Sequence, residues 1–228
     1  MNMINDLVDF HSHVLPGADH GSSSVDTTQA QLRFAYEFGV SRVIATPHFY
    51  PTVHRVKDFI ERREKAFSAL KAIGSSVEVV LGAEVLICNQ IENMPGLEKL
   101  FLSGTNTLLL ELPFSDFQAE YCDSVYNLVN SGVDVVIAHA DRYSPSNIEK
   151  LVDLGARLQL NADSLARLFV KRHLLDWLKR EIVVGLGSDI HGADRKAYAS
   201  FSKVRSKFSD YLTNVKKESD KLFIKAKY

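Results

Sequence analysis

The sequence predicts an α/β protein whose seven strand–helix units form a parallel (β/α) barrel. The main observation is an architecture that repeats along the chain: an amphipathic stretch runs into a glycine, and an apolar, mostly β-branched run follows. Phe38-Gly39 precedes Arg42-Val43-Ile44-Ala45-Thr46, and Ile73-Gly74 precedes Val77-Glu78-Val79-Val80-Leu81. Ser131-Gly132 precedes Val135-Val136-Ile137-Ala138, and Leu154-Gly155 precedes Arg157-Leu158-Gln159-Leu160. A glycine just past a helix takes the left-handed conformation that ends it. A short apolar run after it reads as a buried parallel strand. The second observation is the count of such runs, seven in all, at 7–10, 42–46, 77–81, 107–112, 135–138, 157–160 and 182–186. Seven alternating units favour a barrel, with an open doubly wound sheet as the competitor.

Between the strands, Val56, Phe59, Ile60, Phe67, Leu70 and Ile73 form one apolar face at helical spacing. Ser22-Ser23-Ser24 reads as a helix entry, and Ser146-Asn147-Ile148-Glu149 has the form of a capping box. The lysine-rich stretch 216–228 reads as a solvated last helix or tail. A chain of 228 residues, 46% hydrophobic and 24% charged, fits a single domain over residues 1–228. A net charge of −1 gives no field that would favour nucleic acid or an anionic membrane. Met1-Asn2-Met3-Ile4-Asn5-Asp6 has no signal-peptide pattern, and no apolar run is long enough to insert in a bilayer. Two cysteines cannot make a disulfide framework, so a cytoplasmic location is expected.

In such folds functional side chains gather at the C-terminal ends of the strands. The first strand ends in His11-Ser12-His13, a spacing that puts both imidazoles on one face, and its loop adds Asp19-His20-Gly21. The second ends at His48 and the third at Gly82-Ala83-Glu84. The fourth contains Glu111, and the fifth ends in His139 with Asp141-Arg142-Tyr143 behind it. The sixth ends in Asn161, and the seventh in Ser188-Asp189-Ile190-His191. A lone His-x-His pair is also what a solvated strand end looks like. However, six of the eight histidines lie at strand ends, and only His54 and His173 fall elsewhere. Imidazoles and carboxylates without thiolate suit Zn²⁺, Mn²⁺ or Fe²⁺. The nine candidates, His11, His13, His20, His48, Glu84, Glu111, His139, Asp189 and His191, exceed what one ion takes, so two or three are expected.

These stretches resemble the polymerase and histidinol phosphatase (PHP) superfamily. Within it, the chain is similar to the bacterial tyrosine-protein phosphatases of capsule and exopolysaccharide operons. The resemblance rests on Asp9-Phe10-His11-Ser12-His13 with Gly21, Ala45-Thr46-Pro47-His48, Gly82-Ala83-Glu84, and Leu110-Glu111-Leu112-Pro113-Phe114. It continues through Ala138-His139-Ala140-Asp141-Arg142-Tyr143 and Ser188-Asp189-Ile190-His191. It implies a distorted seven-stranded, TIM-like barrel, the PHP fold, with a trinuclear site in which Mn²⁺ is placed ahead of Fe²⁺ or Zn²⁺. It also implies a phosphotyrosine protein as substrate, the tail of a bacterial tyrosine kinase controlling polysaccharide export. The family has Asp where this chain has His20, which bears on the third ion. Ala140-Asp141 stands where relatives have proline and glutamate.

On this reading metal-bound hydroxide attacks phosphorus while Arg142 and Arg195 grip the phosphoryl group. Asp189 is both a ligand and a candidate acid, and Phe49 and Tyr50 could line the pocket. The alternatives are a histidinol phosphatase-like small-molecule phosphatase, an amidohydrolase-type C–N hydrolase, and a non-catalytic metal-binding regulator. Glu111, where amidohydrolases carry a modified lysine, favours phosphoester chemistry. A cysteine-dependent phosphatase needs arginine six residues after its thiol, but Met94 follows Cys88 and Leu128 follows Cys122 at that spacing. Gly185-Leu186-Gly187 lacks the third glycine of a dinucleotide loop.

Overall fold

A computed structural model describes residues 7–114 and 117–227. The N-terminal hexapeptide, read as lacking a signal peptide, and the terminal Tyr228 lie outside the described residues. The elements in order are β1 Leu7–Ser12, α1 Val25–Glu37, β2 Val40–Ala45, β3 His48–Phe49, α2 Val56–Ile73, β4 Glu78–Leu81, β5 Glu84–Leu86 and β6 Thr107–Glu111. They continue with α3 Glu120–Asn130, β7 Asp134–Ile137, α4 Pro145–Asp153, β8 Arg157–Asn161, α5 Ala162–Ala166, α6 Arg172–Lys179, β9 Val183–Gly187, α7 Arg195–Lys207 and α8 Ser209–Lys227.

All strands pair in parallel in one sheet, ordered β3-β5-β6-β7-β8-β9-β1-β2-β4. The sheet has nine strands where the sequence predicts seven, because two predicted strands run on past a break. The run at 42–46 is interrupted at Thr46-Pro47, where proline has no N–H for the ladder, and resumes as β3. The run at 77–81 is interrupted at Gly82-Ala83 and resumes as β5. A Cβ at Gly82 would stand 2.5 Å from a methyl of the buried Leu102, which a larger residue there would have to push aside. Two residues therefore carry the chain from β2, beside one edge of the sheet, to β3 at the opposite edge. So short a link requires the two edges to approach, and the sheet is curled into a barrel. The open doubly wound alternative is excluded.

Two apolar clusters hold this shape. The larger lies between the sheet and the surrounding helices, and α2 contributes Phe59, Ala66 and Leu70 to it. The smaller fills the barrel with Val8, Phe10, Ile44, Val80, Leu109, Val136 and Val184. Leu222, Phe223 and Ala226 of α8 belong to this interior cluster. The lysine-rich end is thus not simply solvated, because one face of α8 closes the barrel at the N-terminal ends of its strands. Arg157, which opens β8, bonds Glu218 at 3.0 Å, and Arg42 of β2 pairs with Asp220 at 2.8 Å.

The four predicted helix-ending glycines all have positive φ. Ser24 caps α1, its Oγ accepting from Thr27 N. The capping box does not form: Pro145 occupies the first turn of α4, so Ser144 takes the cap position and Ser146 lies inside the helix. Glu149 instead accepts from Trp177 Nε1 and Arg180.

Candidate metal centre

The site begins in β1. Between the pairs Asp9↔Val43 and Ser12↔Ala45, β1 carries one more residue than β2. Such a bulge re-aims side chains, and both Phe10 and His11 end up buried, Phe10 in the barrel core and His11 in the site. Each imidazole is oriented through the nitrogen that faces away from the cluster. His11 Nδ1 donates to Gln159 Oε1 at 3.0 Å, and His13 Nδ1 donates to Asp19 Oδ2 at 2.7 Å. The two Nε2 atoms are thereby left facing each other at 3.2 Å. Asp19 also accepts from His48 N at 3.0 Å and Gly21 N at 2.8 Å, binding the loop into the site.

Glu84 stands at the centre, fully buried at the start of β5. Its Oε2 lies 2.8 Å from His48 Nδ1, 3.2 Å from His11 Nε2 and 3.3 Å from His13 Nε2. Its Oε1 lies 2.8 Å from His139 Nε2. Glu111, from β6, is 3.8 Å from both His48 and His139. Asp189 Oδ1 is 3.4 Å from His13 Nε2, and His191 Nδ1 donates to the Asp189 carbonyl at 3.0 Å. His139 and Asp189 both have positive φ, 32° and 49°. Residues with side chains rarely adopt this conformation, and it concentrates at functional sites.

Burial alone would push the Glu84 carboxyl up, but His11, His13 and His139 hold it well below the usual range. Burial likewise pushes the Asp189 carboxyl up, but His13, His11 and Arg142 overcome it and hold the group ionised. Burial and the charge of Glu84 raise Glu111 to about 7. His13 rises well above its ordinary value against its burial, through Asp189, Asp19 and Glu84.

Three overlapping groups among the described residues have donor atoms within 4.8 Å of one another: His13–His48–His191, His11–His13–Asp189 and His48–Glu84–Glu111. Five buried donor atoms of the site have no hydrogen-bond partner: His48 Nδ1, Glu84 Oε2, Glu111 Oε2, His139 Nδ1 and His191 Nε2. His48 Nδ1 and Glu84 Oε2 are close without being aligned as a hydrogen bond. Two ligands of one six-coordinate ion with bonds of about 2.1 Å stand about 3.0 Å apart. The spacings and the orphaned donors therefore fit divalent cations.

A sequence profile for capsular polysaccharide synthesis, CpsB/CapC, matches residues 7–220. The chain belongs to the CpsB/CapC family. It is 28% identical over 204 residues to the tyrosine-protein phosphatase YwqE of Bacillus subtilis, covering 84% of this chain and 80% of the relative. It is 24% identical over 210 residues to the tyrosine-protein phosphatase CpsB of Streptococcus pneumoniae, covering 83% and 85%. Its structure matches one from the crystal structures of YwqE and CpsB, described as unique metal-dependent tyrosine phosphatases, with a TM-score of 0.80 and 25% identity. That match covers 96% of this chain and 95% of the other. A β-aspartyl dipeptidase from Fervidobacterium islandicum shares the fold alone, at TM-score 0.58 and 12% identity.

In this CpsB/CapC chain all nine candidate ligands read from the sequence lie at one end of the barrel, seven of them in the three donor groups and His139 2.8 Å from Glu84. His20 is exposed outside the three groups, its ring 4.8 Å from His48 and 4.7 Å from His191. Arg142 Nη2 contacts Asp189 Oδ2 at the edge of the cluster. Arg195 has other partners: its guanidinium pairs with Glu37 at 3.3 Å and lies over the Phe38 ring. The next residue, Lys196, lines a cavity of about 340 Å³ together with Arg142, Ser188, Asp189 and His191. Phe49 does not line a pocket, because it is fully buried edge-on against Phe59. Tyr50 stacks on His48 at 5.3 Å. Asp19 and Asn161, which the sequence shows at strand ends without placing them among the nine candidates, and Gln159, which it does not mark as a site residue, orient the candidate ligands. Asp9 is fully buried and accepts from Ser188 N and Oγ, tying β1 to the Asp189 loop.

Proposed function

We propose that this chain is a metal-dependent protein-tyrosine phosphatase, a phosphoric monoester hydrolase formed by a single domain over residues 1–228. The observation that carries this is the buried Glu84 carboxylate surrounded by four imidazoles, with orphaned donors around it and Arg142 at its edge. Both the family and its metal-dependent tyrosine phosphatase relatives support the reading. The ligands we assign are His11, His13, His48, Glu84, Glu111, His139, Asp189 and His191. We add His20, whose ring lies 4.8 Å from His48 and 4.7 Å from His191, as a further ligand beside the His13–His48–His191 group. Two or three ions are expected, with Mn²⁺ ahead of Fe²⁺ or Zn²⁺.

When bound, such cations neutralise phosphoryl oxygens and make water a nucleophile at neutral pH. The chain's own groups do the rest. The Arg142 guanidinium reaches from the rim to hold the phosphoryl group, and Lys196 adds a second positive charge beside it. Asp189, held ionised against its burial by His13, His11 and Arg142, serves as a ligand beside the phosphoryl group. A tyrosine phenolate, with a pKa of about 10, leaves without strong acid assistance. The substrate protein we infer is a bacterial tyrosine kinase of capsule or exopolysaccharide synthesis.

The test is hydrolysis of a phosphotyrosine peptide beside histidinol phosphate, on chelator-stripped protein and after adding Mn²⁺, Fe²⁺ or Zn²⁺ singly. Peptide turnover that appears only with metal is expected. Metal-dependent turnover of histidinol phosphate alone would move the assignment to a small-molecule phosphatase. Stoichiometric metal with no turnover of either would overturn the phosphatase reading.

A further inference from the structure

Past Glu111 the chain turns through Leu112-Pro113 and presents Phe114 to solvent. The residue is 71% exposed, whereas large aromatic side chains are ordinarily covered. Its ring nevertheless lies beside the cluster. It lies parallel to the His139 imidazole, 6.3 Å between centroids and 9° between planes, and 6.0 Å from the Tyr143 ring. Tyr143 is itself fixed, because its hydroxyl donates to Leu112 O at 2.8 Å and accepts from Leu112 N at 3.2 Å. Those two bonds fasten the turn that carries Phe114 to the segment that follows His139.

The opposite side of the cluster mirrors this arrangement. His48 and His139 flank Glu84, each 2.8 Å from one of its oxygens. Tyr50 is stacked outside the His48 ring, as Phe114 is outside the His139 ring. The two differ in exposure, since Tyr50 is half-buried. Phe114 therefore offers an open aromatic face next to the proposed phosphoryl site. In an aryl monoester only the ester oxygen separates phosphorus from the ring, so a phosphoryl group at the cluster brings its aryl ring to this depth.

We propose that Phe114 is the ring platform that makes the site select an aryl monoester, the phosphotyrosine side chain, over an alkyl one. This rests on the phosphatase reading above. Recognition is by offset stacking and by covering the ring, and both are lost when Phe114 is truncated. Its exposure means that truncation leaves no cavity in the core.

The test uses two phosphonates whose P–C bond resists hydrolysis, so that leaving-group chemistry plays no part. Phenylphosphonate and methylphosphonate are titrated calorimetrically into manganese-loaded protein, with metal content measured for each variant. The wild-type protein is expected to prefer phenylphosphonate. In Phe114→Ala that preference, the ratio of the two Kd values, is expected to fall about five- to tenfold, the scale of an aromatic contact. Phe114→Trp is expected to retain it. Equal weakening of both ligands would overturn the proposal, because Phe114 would then act only through His139. An unchanged ratio would overturn it as well. If neither phosphonate binds the wild-type protein, the phosphatase reading itself falls, and the platform with it.

Discussion

At Gly21 a single missing carbon permits the site. A Cβ there would stand 2.0 Å from the Cβ of His13 and 2.7 Å from its carbonyl oxygen, both of them fixed atoms. Gly21→Ala must therefore displace His13, which belongs to two of the three donor groups. The expected outcome is a folded protein that has lost most of its metal, checked by elemental analysis after gel filtration. Full metal content in that variant would mean that the loop moves instead. Arg142 presents the opposite case. It belongs to no donor group, so Arg142→Ala should keep its metal while turnover of a phosphotyrosine peptide falls about 10²- to 10³-fold, as when one charge-stabilising donor is removed. Undiminished turnover would remove Arg142 from the mechanism. The neighbouring cations mark where residue-level reading stops. Successive helical residues point about 100° apart, so Arg195 and Lys196 at the start of α7 cannot both face the cavity. Which one does is decided by Glu37 and Phe38, residues remote in sequence that hold Arg195.

Among the elements, α8 is the one whose role the sequence conceals. Its lysines suggest a solvated helix, yet Leu222, Phe223 and Ala226 share one face and complete the barrel interior. Phe223 is fully buried. Phe223→Ala is expected to destabilise the fold by about 3–5 kcal/mol, read from denaturant unfolding, with metal stoichiometry retained in the folded fraction. A loss below about 1 kcal/mol would mean that α8 does not plug the barrel. The strands were legible because a buried parallel strand leaves a continuous apolar run bounded by turn signals, and all seven predicted runs are strands here. The extensions β3 and β5 were not legible as strands. Each is only two or three residues long, set off by Thr46-Pro47 or Gly82-Ala83, and held by pairing with a partner remote in sequence. Those short strands carry His48 and Glu84, so the least legible elements supply the centre of the site. The candidate ligands are still legible because residue type, unlike pairing, is visible in the sequence.

Across the whole molecule, the donors come from β1, β3, β5 and β6 and from the loops after β7 and β9. No local segment reproduces the site, so cations bind the folded barrel and not the unfolded chain. Loading then stabilises by mass action, about 2.7 kcal/mol per site at a hundredfold excess over Kd. At about 2–4 °C per kcal/mol for a domain of this size, stripping one such ion should lower Tm by roughly 5–10 °C. Protons compete for the same atoms. Asp189, Asp19 and Glu84 lift His13 well above its ordinary value against its burial, and burial with Glu84 lifts Glu111 to about 7. Both groups hold protons near neutrality in the stripped protein and must release them to an incoming ion, so affinity falls as pH falls. The Tm difference between manganese-loaded and stripped protein should narrow as pH is lowered from 8 to 6, with proton uptake by the buffer detectable on loading. A gap that stays constant over that range, at fixed free metal, would show that His13 and Glu111 do not share their donor atoms with the ions.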